Sequence, residues 1–265
     1  MSIYLQLTSE FNDGRCRAII TSGQAVVLHR LAIMSKDGDW ILREDDESLA
    51  HILKVLGSHG AKYRFGAPLD ARWLANGWSS HFEFSHESLR VRTDFFTRPP
   101  RLNADDLARL WREQEGRDPA VIGLVDLAMM KRTNRERDYA VIGELARRMT
   151  SPRDQLLHSR SARDLVALAA ERPNMVEELT AKRPLLASVA RGREVLEAAL
   201  DVERRRMMHA NEERLATYAE ASAAWRATWP KVSDDLRAAP LAEAHRRMVS
   251  LAETSLPFEA PGASP

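Results

Sequence analysis

The chain has 265 residues, 44% hydrophobic and 29% charged, with 39 Lys and Arg against 38 Asp and Glu for a formal net charge of +1. That length and apolar content suffice for one large domain or two modest ones with real cores, and the near-zero balance excludes binding of an acidic partner through overall charge excess. The single cysteine, Cys16, excludes an intramolecular disulfide, and no segment reaches the roughly 20 apolar residues of a spanning helix, so the expectation is a soluble, cytoplasmic protein with no membrane partner.

In chain order, "CRAIITS" (16–22) reads as a short buried strand and "GQAVVLHRLAIM" (23–34) as a helix, with apolar residues at 25, 28, 31 and 32. "DWIL" (39–42) reads as a second strand, and "EDDESLAHILKVLGSHG" (44–60) as a helix stopping at Gly57 or Gly60. "AKYRF" (61–65) suits a third strand. "SHFEF" followed by "LRVRTDFF" predicts a hairpin of period two, with Arg90, Arg92 and Asp94 on one face and Leu89, Val91 and Phe95 on the other. A mixed sheet flanked by helices assembles these elements with their apolar faces covered.

The character changes at "RPPRLN" (98–103), beyond which the pattern is helical: about 104–115, 120–133 and 135–149, then a segment after Pro152 and others near 161–171 and 174–182. From Leu185 to about Trp229 the absence of proline and the abundance of Ala, Glu, Arg and Leu predict one long or once-broken helix. The Pro/Gly/Ser-rich 255–265 reads as a disordered tail. The expected class is α+β: a catalytic domain at 1–100, a helical domain at 101–182 completing the site, the long helix and its successors at 183–254, and the tail.

The stretch "SKDGDW" (35–40) admits two readings. Asp-Gly between apolar runs is a hairpin-turn signature, whereas Asp37 and Asp39, one residue apart on a strand, would present two carboxylates on one face to a divalent cation. The helical spacing upstream disfavours the turn, because no strand then precedes it. An EF-hand calcium loop is excluded by the position of Gly38. Upstream, Ser22-Gly23 at a strand-to-helix junction could let backbone N–H groups meet a phosphate, although small residues there also serve packing alone.

Taken together, "TSGQAVVLH", "SKDGDWIL" and "RVRTDFF" resemble the nucleotidyltransferase superfamily of the DNA polymerase β type, over about residues 16–98. Ser22 stands in the first glycine position of the family's turn, Gly38 replaces the usual hydrophobic residue between the paired acids, and Asp94 stands for the third acid. The helical "DLAMMKRTNRERDYAVIGELARR" (126–148) is similar to AbiEii-type abortive-infection toxins, with Lys131 and Asp138 at the lysine and aspartate of that segment. The resemblance implies a Mg²⁺-dependent transfer of NMP from an NTP to a hydroxyl acceptor with release of pyrophosphate. In that reading Asp37, Asp39 and Asp94 hold the metal, Ser22, Gly23 and Lys131 meet the phosphates, and Lys131 and Asp138 join the active site. RNA such as a tRNA end, and a cognate antitoxin, are the implied partners; antibiotic or protein nucleotidylation is the alternative within the same chemistry.

Competing readings remain for each residue. Asp94 could be an ion-paired surface acid between Arg92 and Arg98, and Lys131, Arg132, Arg135 and Arg137 a solvated helix end. Arg147, Arg148, Arg153, Arg160 and Arg163 could follow an RNA backbone or be ordinary surface. The histidines lack metal-ligand spacing and read as surface or packing residues. A noncatalytic protein whose long helix presents Val189, Leu196, Leu200, Met207 and Leu215 to a partner is the reading from another class.

Overall fold

A computed structural model describes residues 2–262 and divides the chain into two compact units, residues 1–122 with 216–265, and residues 123–215. In the first unit, helix α1 (Ile3–Phe11) precedes strand β1 (Ala18–Thr21), helix α2 (Ser22–Leu28), strand β2 (Asp37–Leu42) and helix α3 (Asp46–Ser58). Strand β3 (Lys62–Tyr63), the single turn α4 (Ala71–Leu74), the hairpin strands β4 (Ser80–His86) and β5 (Leu89–Phe96), and helix α5 (Ala104–Gln114) follow. The sheet order is β1-β2-β5-β4-β3, with β2 and β5 parallel and the other pairs antiparallel. An α+β fold with a mixed sheet is therefore present.

Strand alternation sorts the sheet into two faces. Ala18, Ile20, Trp40, Leu42, Phe82, Val91 and Phe95 enter one apolar core with α1 residues Leu7 and Phe11. Trp40 stacks on Phe95 with ring centroids 5.4 Å apart, and Phe11 meets both edge-on. Helix α1, which the sequence pattern did not suggest, buries Tyr4, Leu7, Thr8 and Phe11, a one-sided helical stripe. Helix α3 starts at Asp45, whose side chain accepts from the Ser48 N–H, and buries Leu49, Ile52 and Leu56.

The C-terminal helices α12 (Ala223–Ala238) and α13 (Leu241–Ser255) complete this core through Trp225, Leu236, Met248 and Ala252. The expected boundary near residue 100 thus does not coincide with a compact unit, because residues after 216 supply core side chains. The tail expected to be disordered is folded as far as it is described. Trp78 Nε1 donates to the Pro257 carbonyl at 2.9 Å, the Ala260 N–H to the Asn76 carbonyl at 2.9 Å, and Phe258 lies 4.8 Å from the Trp73 ring; residues 263–265 lie outside the described residues.

The second unit contains α6 (Leu124–Met130), α7 (Glu136–Arg148), α8 (Pro152–His158), α9 (Ala162–Glu171), α10 (Pro173–Thr180), a 3₁₀ segment (Pro184–Arg191) and the greater part of α11 (Arg193–Ala221). Leu156, Leu165, Leu179, Leu186, Leu196 and Leu200 form its core.

Three expected helices are corrected. The helix expected over 23–34 ends at Leu28, after which Arg30 takes φ +59° and Ile33 and Met34 stand in solvent; the Gln24 amide then ties the returning chain by donating to the Ser35 and Asp37 carbonyls. The helix expected over 120–133 begins only at Leu124, because residues 120–122 run beside β1: the Ile20 N–H donates to the Ala120 carbonyl and the Ile122 N–H to the Ile20 carbonyl. The helix expected from Leu185 starts at Arg193, since Gly192 at φ +100° breaks the chain after a 3₁₀ run, and a second break falls at Ser222.

Candidate active site

The sheet face opposite the aromatic core carries the acidic residues. Asp39 is the parallel register partner of Asp94, Asp37 that of Arg92, and Thr21, at the end of β1, pairs with Asp39 across the antiparallel edge. Strand β2 thus begins at Asp37, and both aspartates lie within it, which removes the hairpin-turn reading. Partners in adjacent strands are about 5 Å apart, so Asp39 and Asp94 project side by side from one face, beside the bend at Ser22-Gly23.

Two glycines of these stretches have local explanations. A Cβ at Gly38 would come within 2.4 Å of the Trp40 ring and 2.6 Å of the Tyr4 ring, so an indole folded back along the strand occupies the space a side chain there would take. A Cβ at Gly23 would lie 2.2 Å from Ser35 Oγ and 3.0 Å from Ser35 Cβ, so a side chain there would have to displace Ser35. Ser22 takes φ +50°, the left-handed conformation that glycine adopts without strain. It opens α2, a helix of only seven residues.

The acids are not equivalent. The Oδ1 of Asp37 is buried without a hydrogen-bond partner, although the side chain as a whole is 45% exposed and Arg92 Nη1 stands 3.9 Å away. Asp94 is held through Oδ1, which accepts from His81 Nδ1 at 2.7 Å and Arg64 Nη1 at 3.1 Å. Burial alone would raise its pKa; the His81 hydrogen bond and the charges of His81, Arg64 and Arg92 outweigh that and hold it below the ordinary carboxylate value. Tyr4, whose hydroxyl donates to the Lys36 carbonyl at 2.6 Å, is shifted up by burial and then by the negative charges of Asp37 and Asp39.

Sequence reasoning missed Arg64, His81 and Tyr4. His81 is the cross-strand neighbour of Asp94 in the hairpin, so the hairpin register contained its role, and reading it as mere surface or packing is corrected. Tyr4 had no such signal because its helix was not anticipated.

Among the described residues no three His, Cys, Asp or Glu side chains already converge as a metal cage. The donor set nevertheless suits Mg²⁺, which takes one or two carboxylates and completes its shell with water and phosphate. Asp37 and Asp39 are such a pair, and the buried Oδ1 of Asp37, which makes no hydrogen bond and has Arg92 only at 3.9 Å, is an oxygen that a cation would satisfy.

Lys131 and Asp138 belong to the second unit and bind each other. Lys131 Nζ lies 3.2 Å from Asp138 Oδ1, Thr133 Oγ1 donates to Asp138 Oδ2 at 2.6 Å, and both charged side chains are largely buried. The basic run expected to track RNA is also altered: Arg147 pairs with Glu144 and Asp164, Arg153 with Glu178, and Arg160 is withdrawn from the surface onto Glu203, while Arg148 and Arg163 remain exposed. Three of the five are therefore neutralised by carboxylates rather than open to a phosphate backbone. On the long helix, Leu196 and Leu200 are core residues, and Leu215 is 44% exposed.

No helix of the described residues is long and apolar enough to cross a membrane. Comparison with protein-family models, with curated proteins and with solved structures finds no match to this chain.

Proposed function

We propose that the first unit is the catalytic part of a Mg²⁺-dependent nucleotidyltransferase that moves NMP from an NTP to a hydroxyl and releases pyrophosphate. The observation that carries this reading is the register of Asp39 with Asp94, with Asp37 one residue before Gly38 on the same strand and its buried Oδ1 without a hydrogen bond, only Arg92 Nη1 standing 3.9 Å away. Bound Mg²⁺ would supply charge neutralisation at the phosphates. Asp37 and Asp39 would hold it. Arg92, beside Asp37, adds fixed positive charge for the polyphosphate. Asp94, kept ionised by His81 and Arg64, would take the acceptor hydroxyl proton on Oδ2, the oxygen not engaged by those two residues.

An RNA acceptor, action as the toxin of a toxin–antitoxin pair, and a cytoplasmic location are the extended form of this proposal, supported by the sequence resemblance alone. The test is incubation with each labelled NTP, Mg²⁺ and total RNA, alongside Asp37→Ala. Label transferred equally by the variant would refute the assigned site.

A noncatalytic reading draws on one observation: Asp94 Oδ1 already satisfies Arg64 and His81, as a structural acid would. Absence of metal-dependent NTP turnover with any acceptor favours it.

A further inference from the structure

The second unit holds a cluster of cations that the proposed chemistry does not use. Arg160 Nη1 lies 2.8 Å from Glu203 Oε2, and Arg183 grips the same carboxylate through Nε and Nη2, each at 2.9 Å. Arg183 donates also to the Leu156 and Ser159 carbonyls at 2.6 and 2.7 Å, which engages four of its five N–H groups. Arg132, just past the end of α6, acts on the same group by charge, on Glu203, Arg183, His158 and Arg160, and its Nε is buried without a hydrogen-bond partner. Arg160 Nε and His158 Nδ1 are likewise buried and unpartnered, on side chains about 6% and 3% exposed.

Two guanidinium groups thus share one carboxylate while the charge of Arg132 repels Arg183, leaving an excess of positive charge that Arg160 partly offsets by lying 5.0 Å from the centroid of the Tyr139 ring. An uncompensated buried charge is costly, and unsatisfied buried donors add to that cost. Burial and the mutual repulsion of the cations push Arg160 down to about 10 and His158 down to about 3, so the imidazole is neutral at ordinary pH. A dianionic group that accepts several hydrogen bonds removes both penalties, and guanidinium forks match phosphate oxygens in geometry.

We propose that Arg132, Arg160 and His158 form the donor wall of a binding site in the second unit for a free phosphate-class anion, inorganic phosphate or diphosphate. The burial of Arg160, Arg183 and His158 excludes a polymer backbone as the occupant, and half-buried Arg132 stands at the entry. This inference is independent of the chemistry proposed for the first unit.

The test is thermal unfolding of the full chain titrated with phosphate and with diphosphate in EDTA, against chloride at matched ionic strength, with ³¹P line broadening as a direct readout. The expected result is a saturable rise of about 3–5 °C at roughly ten times the half-saturating concentration. The rise is retained in Asp37→Ala and lost in Arg132→Gln, which should also melt higher than wild type without anion, because a repelled buried charge is gone. Should Arg132→Gln fail to fold, His158→Phe serves the same comparison. The proposal is overturned by a wild type that responds to phosphate no more than to chloride, by a response undiminished in the folded Arg132 or His158 variant, or by its loss in Asp37→Ala, which would move the anion to the first unit.

Discussion

Asp39 on β2 and Asp94 on β5 face each other across the parallel strand pair at the middle of the sheet, although 55 positions separate them in the chain. Asp94 is tied closely to His81 of β4 and to Arg64 just past β3, whereas Asp37 has Arg92 only at 3.9 Å, which leaves Asp37 the acid better placed to receive a cation. Asp37→Asn keeps the shape and removes the charge. NTP turnover is expected to fall by at least about 100-fold, while stability changes by less than about 0.5 kcal/mol, because the half-exposed Asp37 has only a distant ion pair to lose. Turnover assays beside urea melts check both halves.

Gly38→Ala should act through packing. Its Cβ would meet two rings within 2.6 Å, and neither Trp40 nor Tyr4 can rotate away without disturbing the aromatic core. A loss of about 1–3 kcal/mol is expected, measurable as a lower denaturant midpoint. Replacing Tyr4 by Ala in the same chain should return part of it.

Lys131→Met leaves the buried Asp138 with Arg135, 3.9 Å away, as its remaining cation and should cost up to about 3 kcal/mol. The double variant Lys131→Met, Asp138→Leu should be markedly more stable than that single variant, because the charge and its partner leave together. A thermodynamic cycle over the four proteins measures the coupling; additivity would show that the pair is not a unit.

His158 makes the second unit acid-sensitive. Its folded pKa, about 3, lies below the unfolded value near 6.5 because burial and Arg132, Arg160 and Arg183 oppose protonation, with Glu203 the one opposing charge. The unfolded chain therefore binds a proton as pH falls below about 6.5 while the native chain does not until about pH 3. Stability is lost across that window, roughly 2–3 kcal/mol of it between pH 7 and pH 4.5. His158→Gln should flatten this part of the stability profile, and an unchanged slope would contradict the assignment.

Much of the sheet was legible because alternation in β4 and β5 and the apolar runs of β1 and β2 each allow one buried face. The same alternation fixed which side Asp94 takes. What escaped was set by distant partners. The early end of α2 depends on the Gln24 amide reaching Ser35 and Asp37, and the late start of α6 on residues 120–122 lying beside β1. Nor could local pattern show that Arg160, which reads as surface charge, would be drawn inward by Glu203, 43 positions away. The aspartates were visible as a set, but which of them carries basic partners was a tertiary fact.

The core beneath the sheet takes Trp225, Leu236 and Met248 from residues made after the whole 123–215 segment. During synthesis the strands therefore emerge from the ribosome well before the side chains that cover them, and at ordinary elongation rates they wait for several seconds. A nascent chain in that interval displays an open aromatic surface, the kind of surface that holding chaperones retain until α12 and α13 are released.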